Sequence, residues 1–455
     1  MSLLAAHVND AGIQVLDSGK ILYDEPGFAL LEDDALTTGA AAYAEARKKP
    51  RRIQNGFWSA LDTTPLKDAR FHHLTAADLV SRQLEHIWQR VGRADARLLV
   101  AVPAYMSGEN LSLFLGVARE LGIPVAALVD SAVAATRRRY KGAMPVHIDF
   151  SLHWSMLSRI AQTGQAQLDR SELIDGCGIL HLYDAWIATI AEAFVRQSRF
   201  DPLHTAETEQ RLYDNLPGWL AAASSGSSVP IEIEYRGIGH RAEVDSLELI
   251  AAAAPIYHSV VSNLRALYRA DETPALQLSD RAARMPGLAD MLRARVGGEV
   301  FLLEPGATGR GLLARCRDVA GGGETVTLIR QLPWDQAEVE LRIEERRSGN
   351  GLPTHLLFEN TAYEINGSPL TLGSRPGDDA RWLDLQSDMP GVSRRHCSVQ
   401  LENGRCTVQD YSRYGTFLNG HKIEGSAVLQ VGDRIRLGTP GFEFRLITTE
   451  LGSGS

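Results

Sequence analysis

The chain has 455 residues, enough for two or three domains, and its 44% hydrophobic and 23% charged content is that of a globular protein. A net charge of -9 sets the bulk of the chain against nucleic acid and anionic membrane, so neither is an expected partner. No apolar run reaches spanning length (Leu249 to Tyr257 is far too short), and Met1 to Gly12 carries no early Lys or Arg, so membrane insertion and a signal peptide are not expected.

The N-terminal stretch alternates as strands over Leu3 to Val8, Ile13 to Leu16 and Lys20 to Tyr23, with Asp17-Ser18-Gly19 as a hairpin turn. From Leu79 the period becomes helical: Leu79, Val80, Leu84, Ile87, Trp88 and Val91 share a face, and Thr75 is placed to cap it. A strand over Leu98 to Val102 follows, then a helix opened by Ser107 with an apolar face of Leu111, Phe114, Leu115, Ala118 and Leu121. Val125 to Val129 is the next strand, Asp130 or Ser131 opens another helix, and Val146 to Phe150 is again a strand. This alternation predicts an α/β layer architecture. Helical periodicity dominates from about Leu180 to Leu220. Ser224 to Ser228 reads as a loop, and Ile231 to Tyr235 as a half-exposed strand. No internal repeat is visible in the sequence.

Gly321-Gly322-Gly323, the charged run Glu344 to Arg347 and Ser348 to Gly351 mark a boundary zone, so a connector is expected over 326–352. After Pro353 the texture is all-β: short alternating segments are separated by the turn dipeptides Asn366-Gly367, Asn403-Gly404 and Asn419-Gly420. Residues 449–455 read as an unstructured tail. Cys177, Cys316, Cys397 and Cys406 are scattered without CxxC spacing, which predicts reduced structural thiols and a cytoplasmic protein.

Three segments in the C-terminal part occur in a telling order: Gly391-Val392-Ser393-Arg394-Arg395-His396-Cys397, Asp410 through Gly420, and Val431 through Gly438. With them, residues 353–448 resemble forkhead-associated (FHA) domains, β-sandwiches that read phosphothreonine peptides. A phosphate brings nearly two negative charges and three acceptor oxygens, so its reader needs cations and hydroxyl or backbone donors on rigid loops. The resemblance implies that Ser393 and Arg394 contact the phosphate. It also places Ser412, Arg413, Tyr414 and Arg375 on the peptide-binding surface. Gly373, His396, Gly415 and Thr416 take structural roles in this reading, His396 bracing the loop and fixing Ser393. Two departures stand out. The family's Gly-Arg pair reads Gly373-Ser374-Arg375, shifting the arginine by one, and its peptide-gripping asparagine is Tyr414. The alternative is a sandwich kept for packing alone.

Residues 1–325 resemble the Hsp70/actin-like ATPase superfamily, through Leu98 to Tyr105, Val129 to Ala135, Val146 to Phe150, Phe194 to Ile233 and Leu278 to Leu288. The resemblance implies duplicated RNase H-like lobes around a nucleotide cleft. Such a fold cradles phosphates in glycine hairpins, because only bare backbone brings its N–H groups close enough. Here the aspartate and glycine of the first hairpin fall on about Ala6 and Val8. The glycine run of the second becomes Ser151-Leu152-His153, followed by Trp154, and the paired glycines of the adenosine motif become Ser279-Asp280. Asp130 and Asp149 remain as a vestigial nucleotide site, with helix-capping or strand-end acids as the plain alternative. No catalytic residue, metal or cofactor is expected.

Among other candidates, His72, His73 and His86 lack partners at ligand spacing and read as solvated. Arg47 to Arg52 is either a solvated basic loop or a docking site for an acidic partner. Arg137-Arg138-Arg139 fits compensation of a helix C-terminus, and Gly306 to Gly311 precedes no Lys-Ser/Thr pair, so it is no P-loop. The sequence thus predicts a multidomain adaptor without enzymatic activity: a pseudo-ATPase platform carrying a reader of threonine-phosphorylated protein, with bacterial signalling as the context the pairing suggests. Two rival expectations are an ATP-binding switch that gates the reader, with ATP and Mg as its ligands, and an actin-like assembly protein.

Overall fold

The computed structural model of the chain describes residues 2–33, 35–224, 226–269, 272–316, 326–340, 352–358, 361–375, 377, 379–385, 391–402, 404–438 and 442–448. The glycine run at 321–323, the charged and Gly-rich stretch 344–351, Asn403 and the predicted tail at 449–455 lie outside the described residues. The chain forms two compact units, residues 1–263 with 275–339, and residues 340–455 with 264–274.

The first unit begins as the alternation predicts. Strands Ser2–His7, Ile13–Asp17 and Lys20–Glu25 form an antiparallel meander. Ser18 and Gly19 both take positive φ (49° and 86°), the backbone that matches a two-residue turn to the twist of its strands. Helix Ala76–Val91 starts in a capping box, with the Asp78 amide donating to the Thr75 hydroxyl at 3.2 Å and the Thr75 amide to the Asp78 carboxylate at 2.8 Å. It buries Leu79, Val80, Leu84, Ile87 and Val91. Strand Ala96–Val102 then joins the sheet parallel to Ser2–His7. Helix Gly108–Glu120 follows with its own box at Ser107 and Asn110, and strand Val125–Asp130 pairs alongside in parallel.

The second sheet repeats this plan. Strands Met144–Phe150, Trp154–Gln162 and Ala166–Asp175 form an antiparallel meander, and Pro274–Leu278 and Glu299–Leu302 then add on the far side of the first. Each sheet therefore has the spatial order third, second, first, fourth, fifth. Short strands Leu328–Ile329 and Gln331–Leu332 close one edge of each. Inserted before the fourth strand of the second sheet are helices Ile179–Ser198 and Ala206–Ala223, hairpin Ser228–Tyr235 with Ile238–Asp245, and helix Ser246–Ala266. The apolar run Leu249 to Tyr257 lies in that last helix and turns Leu249, Ala253 and Tyr257 inward at i, i+4, i+8. No helix among the described residues is long and apolar enough to cross a membrane.

A cluster between the sheets joins Ala5, Leu99, Val129 and Val133 to Ile160, Ala166 and Leu312. Here the glycines of 306–311 find their use. A Cβ on Gly311 of helix Ala307–Arg315 would lie 1.9 Å from the Ala134 carbonyl oxygen, and one on Gly309 2.6 Å from Leu16. The same helix sends buried Arg315 to the carbonyls of Val133 and Thr136, each at 3.0 Å, at the C-terminal end of helix Ser131–Ala135. That is the task expected of Arg137 to Arg139. They instead reach Asp335, Gln336 and Glu338, because their side chains leave the helix after its last turn.

The second unit is an all-β sandwich. One sheet orders Thr361–Glu364, His355–Phe358, Phe442–Ile447, Arg434–Leu437, Thr416–Leu418 and His421–Lys422. The other orders Trp382–Asp384, Leu370–Gly373, Cys397–Glu402, Arg405–Asp410 and Ser426–Leu429. Inward residues of both, including Leu356, Ile435, Leu437 and Phe444 against Leu372, Val399 and Val408, share one core. Cys397 and Cys406 belong to it as free, buried thiols, and Cys177 and Cys316 are likewise free and buried in the first unit.

Candidate functional site

At one end of the sandwich three loops converge on Ser393. Its amide donates to Nδ1 of His396 at 3.1 Å, and the other ring nitrogen of His396 meets the Gly415 carbonyl at 3.3 Å. An imidazole that accepts at Nδ1 carries its hydrogen on Nε2, so this one is neutral. Burial agrees: His396 is 0% exposed, and desolvation lowers its pKa below 6.5 although the Gly415 carbonyl pulls the other way. One buried ring thus ties two loops together. The Ser374 amide donates to the Ser393 carbonyl at 3.2 Å and brings in the third loop. A Cβ on Gly373 would lie 1.8 Å from the Arg394 carbonyl oxygen, so only glycine permits that approach.

The second loop is braced from within. Asp410 accepts from the Ser412 amide at 3.0 Å and the Thr416 hydroxyl at 2.8 Å. Burial opposes ionisation of Asp410, but these hydrogen bonds prevail and hold its carboxyl below the usual range. Ser412 receives the Gly415 amide on its hydroxyl at 2.7 Å, which lets Gly415 take φ 102°. Ser412 therefore closes the loop from inside. Ser393 differs: its hydroxyl oxygen accepts the Arg413 amide at 3.2 Å, leaving the hydroxyl hydrogen to donate outward.

The same three loops carry Arg375, Arg394 and Arg413, one each and all exposed. Among the described residues none of the three has a carboxylate within ion-pair distance. Arg395 does, binding Asp379 at 3.2 Å and lying over the Tyr411 ring at 4.0 Å. Tyr414 is 58% exposed, its ring 5.6 Å from the Arg413 guanidinium. The end of the sandwich thus presents a hydroxyl whose hydrogen is left to donate and, among the described residues, three guanidinium groups without a carboxylate partner, on loops fixed from beneath.

Residues 370–438 match the FHA domain family. This segment is an FHA domain. A search of curated proteins finds no match to the chain. FHA domains bind phosphothreonine peptides, and the Ser393 surface has the donors and cations such a ligand requires.

Outside the FHA domain, the two acids singled out from the sequence lie in different settings. Asp130 caps helix Ser131–Ala135, accepting the amides of Ala132 and Val133 at 3.0 and 3.1 Å, and burial pushes its carboxyl up to about 6. Asp149 sits in a buried polar cluster between the two sheets. It accepts Asn9 Nδ2 at 2.8 Å, and His7 Nε2 and Arg281 Nη1 lie 3.8 and 3.7 Å away. Arg281, 7% exposed, also lies 4.0 Å from Asp280 and donates to the Gly12 carbonyl, so it links the first hairpin to the second sheet. Beside it Asp10 accepts the Leu152 amide at 2.8 Å, and burial pushes its carboxyl up to about 7. Burial likewise presses His7 down to about 4. Sequence reasoning passed over His7, Asn9, Asp10 and Arg281. The available signal was polar residues at the ends of otherwise apolar strands.

The basic run is largely neutralised. Lys48, Lys49, Arg51, Arg52 and Arg70 line a cavity of about 640 Å³ with Glu32. Lys49 pairs with Glu32 at 2.6 Å, Lys48 with Glu45 at 2.9 Å, Arg52 with Asp33 at 3.4 Å and Arg70 with Asp68 at 2.6 Å. His72 and His73 are exposed, and no His, Cys, Asp and Glu grouping that could hold a metal occurs among the described residues.

Proposed function

We propose that the protein is a phosphothreonine-dependent adaptor in which the FHA domain docks a phosphorylated partner while residues 1–325 serve as a platform without ATPase activity. The observation that carries the reading is the Ser393 surface: a hydroxyl free to donate, on loops that also carry Arg375, Arg394 and Arg413, none of them paired with a carboxylate among the described residues. Ser393 and Arg394 hold the phosphate, Arg413 adds charge from the second loop, and Arg375 and Tyr414 meet the flanking peptide. The double substitution Ser393→Ala with Arg394→Ala tests it. Capture of phosphothreonine peptides from a library should be lost, and capture that survives the double substitution, or that phosphatase treatment leaves unchanged, rejects it.

The platform reading draws on the repeated strand order, which is what an Hsp70/actin-like pair of lobes would have, and on what fills the space between the sheets. Leu152 stands where a phosphate hairpin needs glycine, and its side chain is buried among Phe28, Leu30 and Ala42. Arg281 is held among Asp149, Asp280 and the Gly12 carbonyl, so the interior carries its own cation. A ligand that binds only the native state raises its melting temperature. Mg-ATP should therefore leave the thermal transition unmoved, and a clear rise would favour the nucleotide-gated switch. Concentration-independent sedimentation is expected of the adaptor, and assembly with rising concentration would favour an actin-like polymer.

A further inference from the structure

Charge around Ser393 exceeds what one phosphate neutralises. A phosphothreonine brings about 1.5 to 2 negative charges at neutral pH. Arg375, Arg394 and Arg413 are permanently charged and unpaired among the described residues. Their backbones are locked together: Ser374 donates to the Ser393 carbonyl, Arg413 donates to the Ser393 hydroxyl, and Arg394 abuts Gly373. The three arginines are therefore rooted on loops held to one another, so their charges share one surface. A fourth cation borders the same surface. Lys422 is exposed, and its stem packs so closely on Gly415 that a Cβ there would lie 2.3 Å from the lysine Cε. Among the described residues, Asp379 is engaged with Arg395, and Asp410 with Ser412 and Thr416.

We infer that the preferred ligand is an acidic phosphopeptide, with at least one further anionic side chain close to the phosphothreonine in sequence. The inference rests on the phosphopeptide reading of the same site. The phosphate takes the donors at Ser393 and Arg394, and the second anion meets the charge left at Arg375, Arg413 and Lys422. The exposed aromatic face of Tyr414, where an amide side chain would offer hydrogen bonds to peptide backbone, leaves more of the recognition to charge. The second anion is a carboxylate or another phosphate, which share the chemistry.

Fluorescence anisotropy on the full chain tests this with one phosphothreonine peptide in four contexts: flanked by Asp and Glu, by Asn and Gln, by Lys, or by a second phosphothreonine. Each is paired with its unphosphorylated form. Exposed charge pairs contribute up to about 1 kcal/mol each, so the acidic peptide should bind roughly three- to tenfold more tightly than its amide counterpart. The margin should shrink as salt is raised, because the extra contacts are solvent-exposed. The lysine-flanked peptide should bind most weakly. Preference for the doubly phosphorylated over the carboxylate peptide identifies phosphate as the second anion, and the reverse identifies carboxylate; either supports the inference. Equal, phosphate-dependent affinity for acidic and amide peptides overturns the inference and leaves the phosphopeptide reading standing. Affinity that follows acidity with no dependence on phosphorylation overturns both.

Discussion

His396 sets the geometry of the binding end through two hydrogen bonds made by one neutral ring. Replacing it with Ala leaves the Ser393 amide and the Gly415 carbonyl without partners and opens a cavity. His396→Ala should cost about 2–4 kcal/mol in unfolding free energy and at least tenfold in phosphopeptide affinity. Protonation must also break the bond from the Ser393 amide. Because the folded pKa lies below 6.5, this group's contribution is whole above pH 6.5 and is lost as pH falls through the lower folded value. The melting-temperature advantage of the wild type over His396→Gln should therefore shrink from pH 8 to pH 5. Gly373→Ala should displace the Arg394 backbone and lower affinity at least tenfold, measured by anisotropy. Gly367→Ala, whose nearest neighbour is 3.9 Å away, should leave affinity unchanged. The brace of His396 on Ser393 was legible because a short motif fixes the spacing of the two residues. The inward turn of Ser412 was not, since the direction of a serine hydroxyl is decided by which amides the folded loop presents.

Among the elements, local signals were read well and tertiary ones poorly. Thr75 and Ser107 cap their helices as expected, because a capping box is complete within four residues. The hairpin turn at Ser18-Gly19 is equally local. The glycines of 306–311 are excluded as a phosphate loop by their context, but their purpose depends on Ala134 and Leu16, both far away in sequence. Gly311→Ala would force its methyl group into the Ala134 carbonyl and spread two packed helices, so it should lower the melting temperature of the first unit by several degrees. Differential scanning calorimetry would detect it, and an unchanged transition would show that this contact is soft. Proximity in sequence points to the arginines at 137–139 for this helix end, whereas its carbonyls are met by Arg315, which arrives from a different helix.

At the scale of the whole molecule, the repeated strand order leaves no residue-level repeat in the sequence, because the two sheets share topology without sharing residues, so a duplication was to be expected only through the family resemblance of residues 1–325. Their interface also holds buried titratable groups that composition could not reveal. Asp10 is the clearest case, fully buried and pushed from its ordinary 3.8 up to about 7. A raised carboxyl contributes stability that is complete below the unfolded pKa of 3.8 and lost as pH rises through about 7. Asp10→Asn keeps an acceptor for the Leu152 amide and removes the titration. Its melting temperature relative to wild type should therefore climb between pH 4 and pH 7 and level off above. A difference independent of pH would place the ionised carboxylate comfortably in the interior, contrary to this picture.

The most direct test of the central claim is calorimetric titration of the full chain with one acidic peptide in its phosphothreonine and threonine forms, at 0.15 M salt. A dianion held by the Ser393 hydroxyl and fixed guanidinium groups should bind at least tenfold more tightly than the unmodified peptide. Equal affinity for the two forms would contradict the account.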